Sequence, residues 1–279
     1  MLLILISSFF SALTLTFIKL GGNVPVYEKS FLRNVCTIIV ASIILKKAGI
    51  KFLGNKGNRK LLLIRSVSGT LAVWTSYYAL SHMIISNATI LTNLSPIFAI
   101  IFAAIFLKEN IKGVHIIAFI IAFIGVLFVV RPTGHSYLLL PSAIAILSAV
   151  IAAVVVTCIR LLGTREDPRT VVFFYAMVSM ILSTILMLIH FQMPTSRELV
   201  ILLLAGVSST LTQYSITFAY KFAPANEISI YNYSSIIFVT LFGFIIWGDL
   251  PGYIAVIGYI LIILGALIPS FFLKTSKKN

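Results

Sequence analysis

The 279-residue chain is 60% hydrophobic and only 10% charged, with a mean hydropathy of +1.10, whereas a soluble domain is near half apolar and a quarter charged. No globular core could hide that much apolar surface, so a water-soluble fold is excluded and lipid is the expected solvent. The 21 Lys+Arg against 7 Asp+Glu give a net charge of +14, but these cations punctuate apolar runs instead of forming a patch, which points to loop orientation in a membrane and against a nucleic-acid partner.

A bilayer core takes roughly 17 to 25 apolar residues per helix. That window predicts ten spans: 2–20, 27–45, 61–81, 84–107, 113–130, 137–161, 170–191, 198–220, 225–247 and 252–273. Backbone amides in lipid need internal partners, so the fold class is all-α integral membrane. The first span has no basic stretch before it and no clear cleavage site, and is expected to be retained. Span two carries Arg33 in "FLRN", about six residues and so about 9 Å inside its end. Either the side chain snorkels back to the interface, or it offers a solute carboxylate a fixed cation with a fork of donors. On span three, Trp74, Tyr77 and Tyr78 share a helical face. Such a stripe serves packing, an interfacial belt, or the wall of a cavity for a flat or apolar solute.

Span four holds Asn87 and Asn93 and places Pro96 in mid-run; the proline bends the helix either to open a cavity or merely to pack it. The run stops at Lys108 and Glu109, just before span five. An acid there caps the next helix, or forms a gating ion pair with Lys108 or Lys112. Span eight carries Gln213 and Tyr214, and span nine carries Tyr231, Asn232 and Tyr233. Gln213, Tyr214, Tyr231, Tyr233 and Asn93 are candidates for contacting a solute, and the pair Asn93 and Tyr233 serves either that or interhelical hydrogen bonding. Glu227 opens span nine as a cap, a partner for Lys221 or a proton-coupling group, and Asp249 closes it in the place Glu109 takes after span four. Cys36 and Cys158 lie inside apolar runs as small buried hydrophobes, with no disulfide framework or metal spacing. His82, His115, His135 and His190 fall at loops or span ends without an acid beside them. A catalytic constellation is therefore not expected, nor is a metal or cofactor.

If the N-terminus is cytoplasmic, sixteen of the 21 cations lie on that side, Arg65 counted among them. Only Lys19, Lys29, Arg33, Arg131 and Arg197 remain for the other. The positive-inside rule then predicts a plasma-membrane protein with both termini cytoplasmic.

The sequence also repeats itself. At a shift of 140 residues Ser68 meets Ser208, Ala79 meets Ala219, Asn93 meets Tyr233, Ser95 meets Ser235, Glu109 meets Asp249 and Gly125 meets Gly265. At 141, Ser7 meets Ser148, Thr16 meets Thr157, Lys19 meets Arg160 and Gly22 meets Gly163. Two units follow, 1–135 and 136–279. Each holds five spans, an odd number, so the second must enter the membrane upside down, a plan that secondary transporters use with the solute near the midplane.

With ten spans and this duplication, the chain resembles the EamA-type, ten-helix branch of the drug/metabolite transporter superfamily. The resemblance rests on Tyr78-Ala79-Leu80, Ala88, "LSPIFAIIFAAIFLKE" with Pro96 and Glu109, and Gly125 in "IGVLFVV". In the second half "FAYKFAPANEIS" and "FGFIIWGD" carry it, and Arg33 matches an arginine common in the second helix of such proteins. Two positions depart: Ile236 stands where a proline is often seen, and Asp249 where glutamate is usual. The resemblance implies alternating-access transport of a small amphipathic, amino-acid-like metabolite, often outward, coupled to a proton or a counter-solute. A multidrug exporter of the same fold is the alternative, and a channel the weaker one. Oligomeric state is not legible.

Overall fold

The computed structural model describes residues 2–95, 97–99, 101–102, 113–130, 139–163, 165–222 and 233–275. Ten α-helices run through them: α1 (Leu2–Leu20), α2 (Val26–Ala48), α3 (Arg59–His82), α4 (Ile85–Thr92), α5 (Gly113–Val130), α6 (Leu139–Leu162), α7 (Pro168–Met187), α8 (Ser196–Phe222), α9 (Ser234–Trp247) and α10 (Tyr253–Thr275). No strand occurs among the described residues. Four helices, α1, α6, α7 and α8 up to Ala219, are long and apolar enough by themselves to cross a membrane. Of the others, α2 and α3 carry charges inside their bounds, α4 has 8 residues and α9 has 14, while α5 and α10 are apolar over Ile116–Val130 and Tyr253–Ile268. The outer surface suits lipid. On α5 the side chains of Ile116, Ile117, Ile120, Phe123, Ile124 and Leu127 are between 42% and 57% exposed, a greasy stripe that water would not tolerate.

Local chemistry sets the helix ends. Pro168 starts α7 behind Asp167, whose carboxylate accepts from the Arg169 backbone N–H at 2.8 Å, a proline at the first helical position behind an acidic cap. Before α8, Thr195 and Glu198 cap each other. The Thr195 N–H donates to Glu198 Oε2 at 2.8 Å, and the Glu198 N–H donates to Thr195 Oγ1 at 3.4 Å, a capping box. At the end of α9, Gly248 takes φ +69 and Asp249 N–H reaches back to the Gly243 carbonyl at 3.3 Å, the αL closure that glycine allows at little cost.

Span four is interrupted earlier than its proline suggests. Helix α4 stops at Thr92, Asn93 and Leu94 form a turn, and the chain is helical again at Ser95. The bonds there are of the tight three-residue kind, Leu94 N–H to Leu91 O at 3.2 Å and Ile97 N–H to Leu94 O at 2.9 Å. In the second half α9 begins at Ser234 with Tyr233 as its cap. The helix boundary thus recurs at the corresponding place although Ile236 stands where Pro96 does in the first half. Pro96 itself lies outside the described residues.

The packing follows a pattern. Helix α1 lies on α8 as α6 lies on α3, and α2 lies on α8 as α7 lies on α3. Two further pairs, α2 with α7 and α5 with α10, face each other. Adding five to each of these helix numbers, or subtracting it, leaves these six pairs unchanged, while the lighter contact of α1 with α3 does not follow the exchange. Single bonds obey the same exchange: Ser7 donates to the Thr212 carbonyl at 3.3 Å, and Ser148 donates to the Ala72 carbonyl at 2.7 Å. Between α5 and α10 the backbones nearly touch, since a Cβ on Gly125 would lie 2.7 Å from the Gly258 carbonyl and one on Gly265 would lie 2.7 Å from the Ala118 carbonyl. Going up α5 from 118 to 125 goes down α10 from 265 to 258, so these two helices are antiparallel.

Candidate functional site: a buried arginine cluster between α2, α3 and α7

Helix α2 is pinned to its neighbours at both ends. Where it begins, Tyr27 Oη donates to the His190 carbonyl at 2.8 Å, and the Gln192 N–H donates to Glu28 Oε1 at 2.7 Å. Buried Lys29 donates to the Gly22 carbonyl at 2.7 Å. Past its other end, the Asn55 N–H and Asn58 Nδ2 donate to Glu166 Oε1 at 2.8 and 2.9 Å, and Thr170 Oγ1 donates to the Lys51 carbonyl at 3.0 Å. These anchors fix the height of α2 against α7, and with it the middle of both helices.

About two turns into α2 sits Arg33, 4% exposed. Its Nη1 donates to Tyr77 Oη of α3 at 3.0 Å, and its Nη2 donates to Asn34 Oδ1 at 3.0 Å and to Tyr175 Oη of α7 at 2.6 Å. Asn34 Nδ2 in turn donates to Ser179 Oγ at 2.8 Å, with Ser30 Oγ 3.3 Å from the same hydroxyl. The guanidinium is therefore held by neutral oxygens. Its Nε has no acceptor among the described residues, and no carboxylate there forms an ion pair with it. The side chain is packed inside the protein and does not reach its surface. A buried cation without a counter-charge is costly.

A second arginine joins the first. Arg65 of α3 is 4% exposed, and its guanidinium carbon lies 4.4 Å from the centroid of the Tyr175 ring, while that of Arg33 lies 5.8 Å from the same centroid. Tyr175 is the group both cations share. The cation census of the sequence counts Arg65 on the cytoplasmic side; the structure buries it.

The remaining sequence candidates separate from one another. Tyr77 belongs to the cluster, and Trp74, one turn earlier on α3, leaves its indole N–H buried without an acceptor among the described residues. Tyr214 packs beside Ala41, Leu45 and Phe173, its hydroxyl likewise buried and unpartnered there, and Gln213 next to it is half-buried. Tyr78 instead stacks on His82 at 4.3 Å between ring centroids. Asn93 and Tyr233 bond each other: Tyr233 Oη donates to the Asn93 carbonyl at 3.0 Å, and Asn93 Nδ2 donates to Ser235 Oγ at 3.3 Å. This is the interhelical hydrogen bonding that such groups supply in lipid. Tyr231, Glu109 and Glu227 lie outside the described residues, as Pro96 does.

Asp249 has a partner the sequence reading did not foresee. Lys19 at the end of α1 pairs with it at 3.6 Å, donates to the Met83 carbonyl at 3.3 Å and lies 5.0 Å from the Trp247 ring centroid. The pair is partly solvated, so it contributes at most about 1 kcal/mol. We expect Asp249→Asn to move the thermal midpoint of the detergent-solubilised protein by only a few degrees; a collapse of folding would mean the contact is structural.

Tyr175, Asn34, Ser179 and Arg65 are the functional candidates that reading the sequence missed. One signal was present: at the 141 shift Asn34 corresponds to Tyr175, so the helix holding the equivalent of span two was the place to seek partners for Arg33.

Comparison with known proteins agrees with this architecture. The model of the EamA-like transporter family matches the chain twice, over residues 1–131 and 140–271. The pseudopaline exporter CntI of Pseudomonas aeruginosa is 29% identical over 268 residues, covering 96% of this chain and 94% of its own. Solute carrier family 35 member G1 of Homo sapiens is 28% identical over 88% of this chain and 72% of its own, and the S-adenosylmethionine uptake transporter of Rickettsia bellii is 24% identical over 74% and 68%. A solved crystal structure superposes with a TM-score of 0.68 at 15% identity, covering 97% of this chain and 98% of that one, which speaks for the fold alone. The paired family match, the helical membrane architecture and these relatives lead to one conclusion: the chain is a membrane transporter and belongs to the EamA-like transporter family.

Proposed function

We propose that this protein is a secondary transporter that moves a small, amphipathic, carboxylate-bearing metabolite by alternating access, with two inverted five-helix repeats enclosing the solute. The observation that carries the solute class is Arg33, buried at the α2–α7 seam among neutral oxygens with no counter-ion among the described residues. A fixed guanidinium suits a carboxylate, and its Nε–H is a buried donor left without an acceptor among the described residues. The tyrosine rings beside it offer an apolar wall and hydroxyl donors for the rest of an amino-acid-like molecule.

The inverted repeat is supported by the main helix contacts that survive exchange of the two halves, by the antiparallel α5 and α10, and by the bond from Tyr233 to the carbonyl of its counterpart Asn93. Equivalent residues can touch each other only near an axis that relates the two halves. Rocking one half on the other about that axis would open the seam to alternate sides. A multidrug exporter of cations would want an acid beside the solute; the charges at this seam are arginines. The relatives include both an exporter and an uptake transporter, and we infer export as the working direction, with both termini in the cytoplasm of a plasma-membrane protein.

Two experiments test the reading. Proteoliposomes loaded with unlabelled amino acid should accelerate entry of the labelled form, saturably; flux that never saturates would mark a channel instead. In a background lacking Cys36 and Cys158, a membrane-impermeant maleimide should reach Lys51→Cys and His190→Cys from opposite sides of the bilayer. Labelling of both from one side overturns the inverted arrangement.

A further inference from the structure

Resting on the carboxylate-carrier reading, we propose that Arg33 and Arg65 form one two-cation site that selects solutes carrying two carboxylates over solutes carrying one. The two guanidiniums enter from opposite ends of the bundle. Arg33 comes from the first third of α2 and Arg65 from the first third of α3, and consecutive helices start at opposite faces. They converge on the Tyr175 ring, 5.8 and 4.4 Å from its centroid, so they are no farther apart than those two distances together. Both are 4% exposed.

Their bonding differs, and the difference is the argument. Arg33 spends its terminal nitrogens on Tyr77, Asn34 and Tyr175. Arg65 has the face of Tyr175 under it, and its Nε and Nη1 are buried with no acceptor among the described residues. A ring face attracts a cation, but it satisfies few of the N–H donors a guanidinium carries. Had Arg65 been placed for packing alone, an apolar side chain of the same length would have served without two stranded donors. Two like charges this close in a medium of low dielectric also repel each other. One carboxylate neutralises half of that charge and leaves the other arginine stranded; a dianion spanning both neutralises it entirely. Their shared contact with the Tyr175 ring bounds that separation, and with it the length of a solute that can span both.

The test uses the purified full chain in detergent micelles and two probes of equal length, glutarate and its monoamide glutaramate, with binding followed by titration calorimetry. We expect glutarate to bind at least about tenfold more tightly, the scale on which losing a buried charged partner is felt. Arg65→Gln should bring the ratio to within about twofold, and Arg65→Lys should recover part of the preference. Equal binding of the two probes to the wild-type protein, a comparison that needs no variant, overturns the two-cation site while leaving a carboxylate carrier standing. An undiminished ratio in a monodisperse Arg65→Gln protein does the same. Binding of neither probe, together with amino-acid uptake indifferent to Arg33→Ala, sinks the carboxylate reading as well.

Discussion

Arg33→Ala should lower the initial rate of carboxylate-solute transport in proteoliposomes by two orders of magnitude or more. The substitution removes the cation and strands three acceptors, Tyr77 Oη, Asn34 Oδ1 and Tyr175 Oη. Truncating one member of a buried charged contact costs about 2–5 kcal/mol, and each 1.4 kcal/mol is tenfold. The thermal midpoint should move far less. The hydrogen bonds lost are offset by relief from holding an unpaired charge away from water, a term that rivals them in size. Arg33→Lys should fall between, because an ammonium supplies charge without the planar fork that reaches Tyr77 and Tyr175 together. Lys47→Ala is the control: that side chain is exposed in the last turn of α2, and its loss should change the rate by less than about twofold. Matched amounts of folded Arg33→Ala and wild-type protein transporting at equal rates would remove Arg33 from the site.

The sequence reads out the scaffold far better than the site, and the reasons are physical. Lipid forces every apolar run into a helix, so span five matches α5 over 113–130, and the cut at "GDLPG" matches the gap between α9 and α10. The capping box at Thr195 and Glu198 and the Asp167-Pro168 start of α7 went unread, because a hydropathy window begins those spans at 198 and 170, inside the polar caps. Span four hid its turn as well. Its apolar character continues through Asn93 and Leu94, and hydropathy is blind to a turn whose amides find partners three residues back. Arg33 was visible as an anomaly inside grease, but its partners were not, because Tyr175 and Ser179 lie more than 140 residues away and only the packing of α7 on α2 brings them near. Arg65 was masked by its company. Sitting six residues past Arg59 near a run of lysines, it reads as one more loop cation until the rise of α3 carries it inward. The partner of Asp249 was hidden in the same way, since Lys19 is distant in the chain and close only where α1 meets α9.

Gly125→Leu and Gly265→Leu should each prevent recovery of a monodisperse protein, and the alanine variants should each lower the thermal midpoint by several degrees. At Gly125 even a methyl would lie 2.7 Å from the Gly258 carbonyl and 3.0 Å from the Ile262 nitrogen; at Gly265 it would lie 2.7 Å from the Ala118 carbonyl and 3.0 Å from the Ala122 nitrogen. Those neighbours are backbone, so no rotamer change relieves the clash and α5 must move off α10. Overpacking costs typically 1–3 kcal/mol, and a helix pair held by close contact in lipid has little hydrophobic drive to compensate. Gly113→Ala provides the control on the same helix, because nothing lies within 4 Å of the new methyl and alanine favours the helix. Paired substitutions separate local from shared effects. Gly125→Ala with Gly258→Ala enlarges one contact from both sides, so the losses should not add. Gly125→Ala with Gly265→Ala loads two contacts seven residues apart, roughly 10 Å along the helices, and the losses should add to within about 0.5 kcal/mol. If Gly125→Leu melts with the wild-type protein, the backbones of α5 and α10 do not meet there. The antiparallel seam that supports an inverted pair of repeats would then lose its strongest contact.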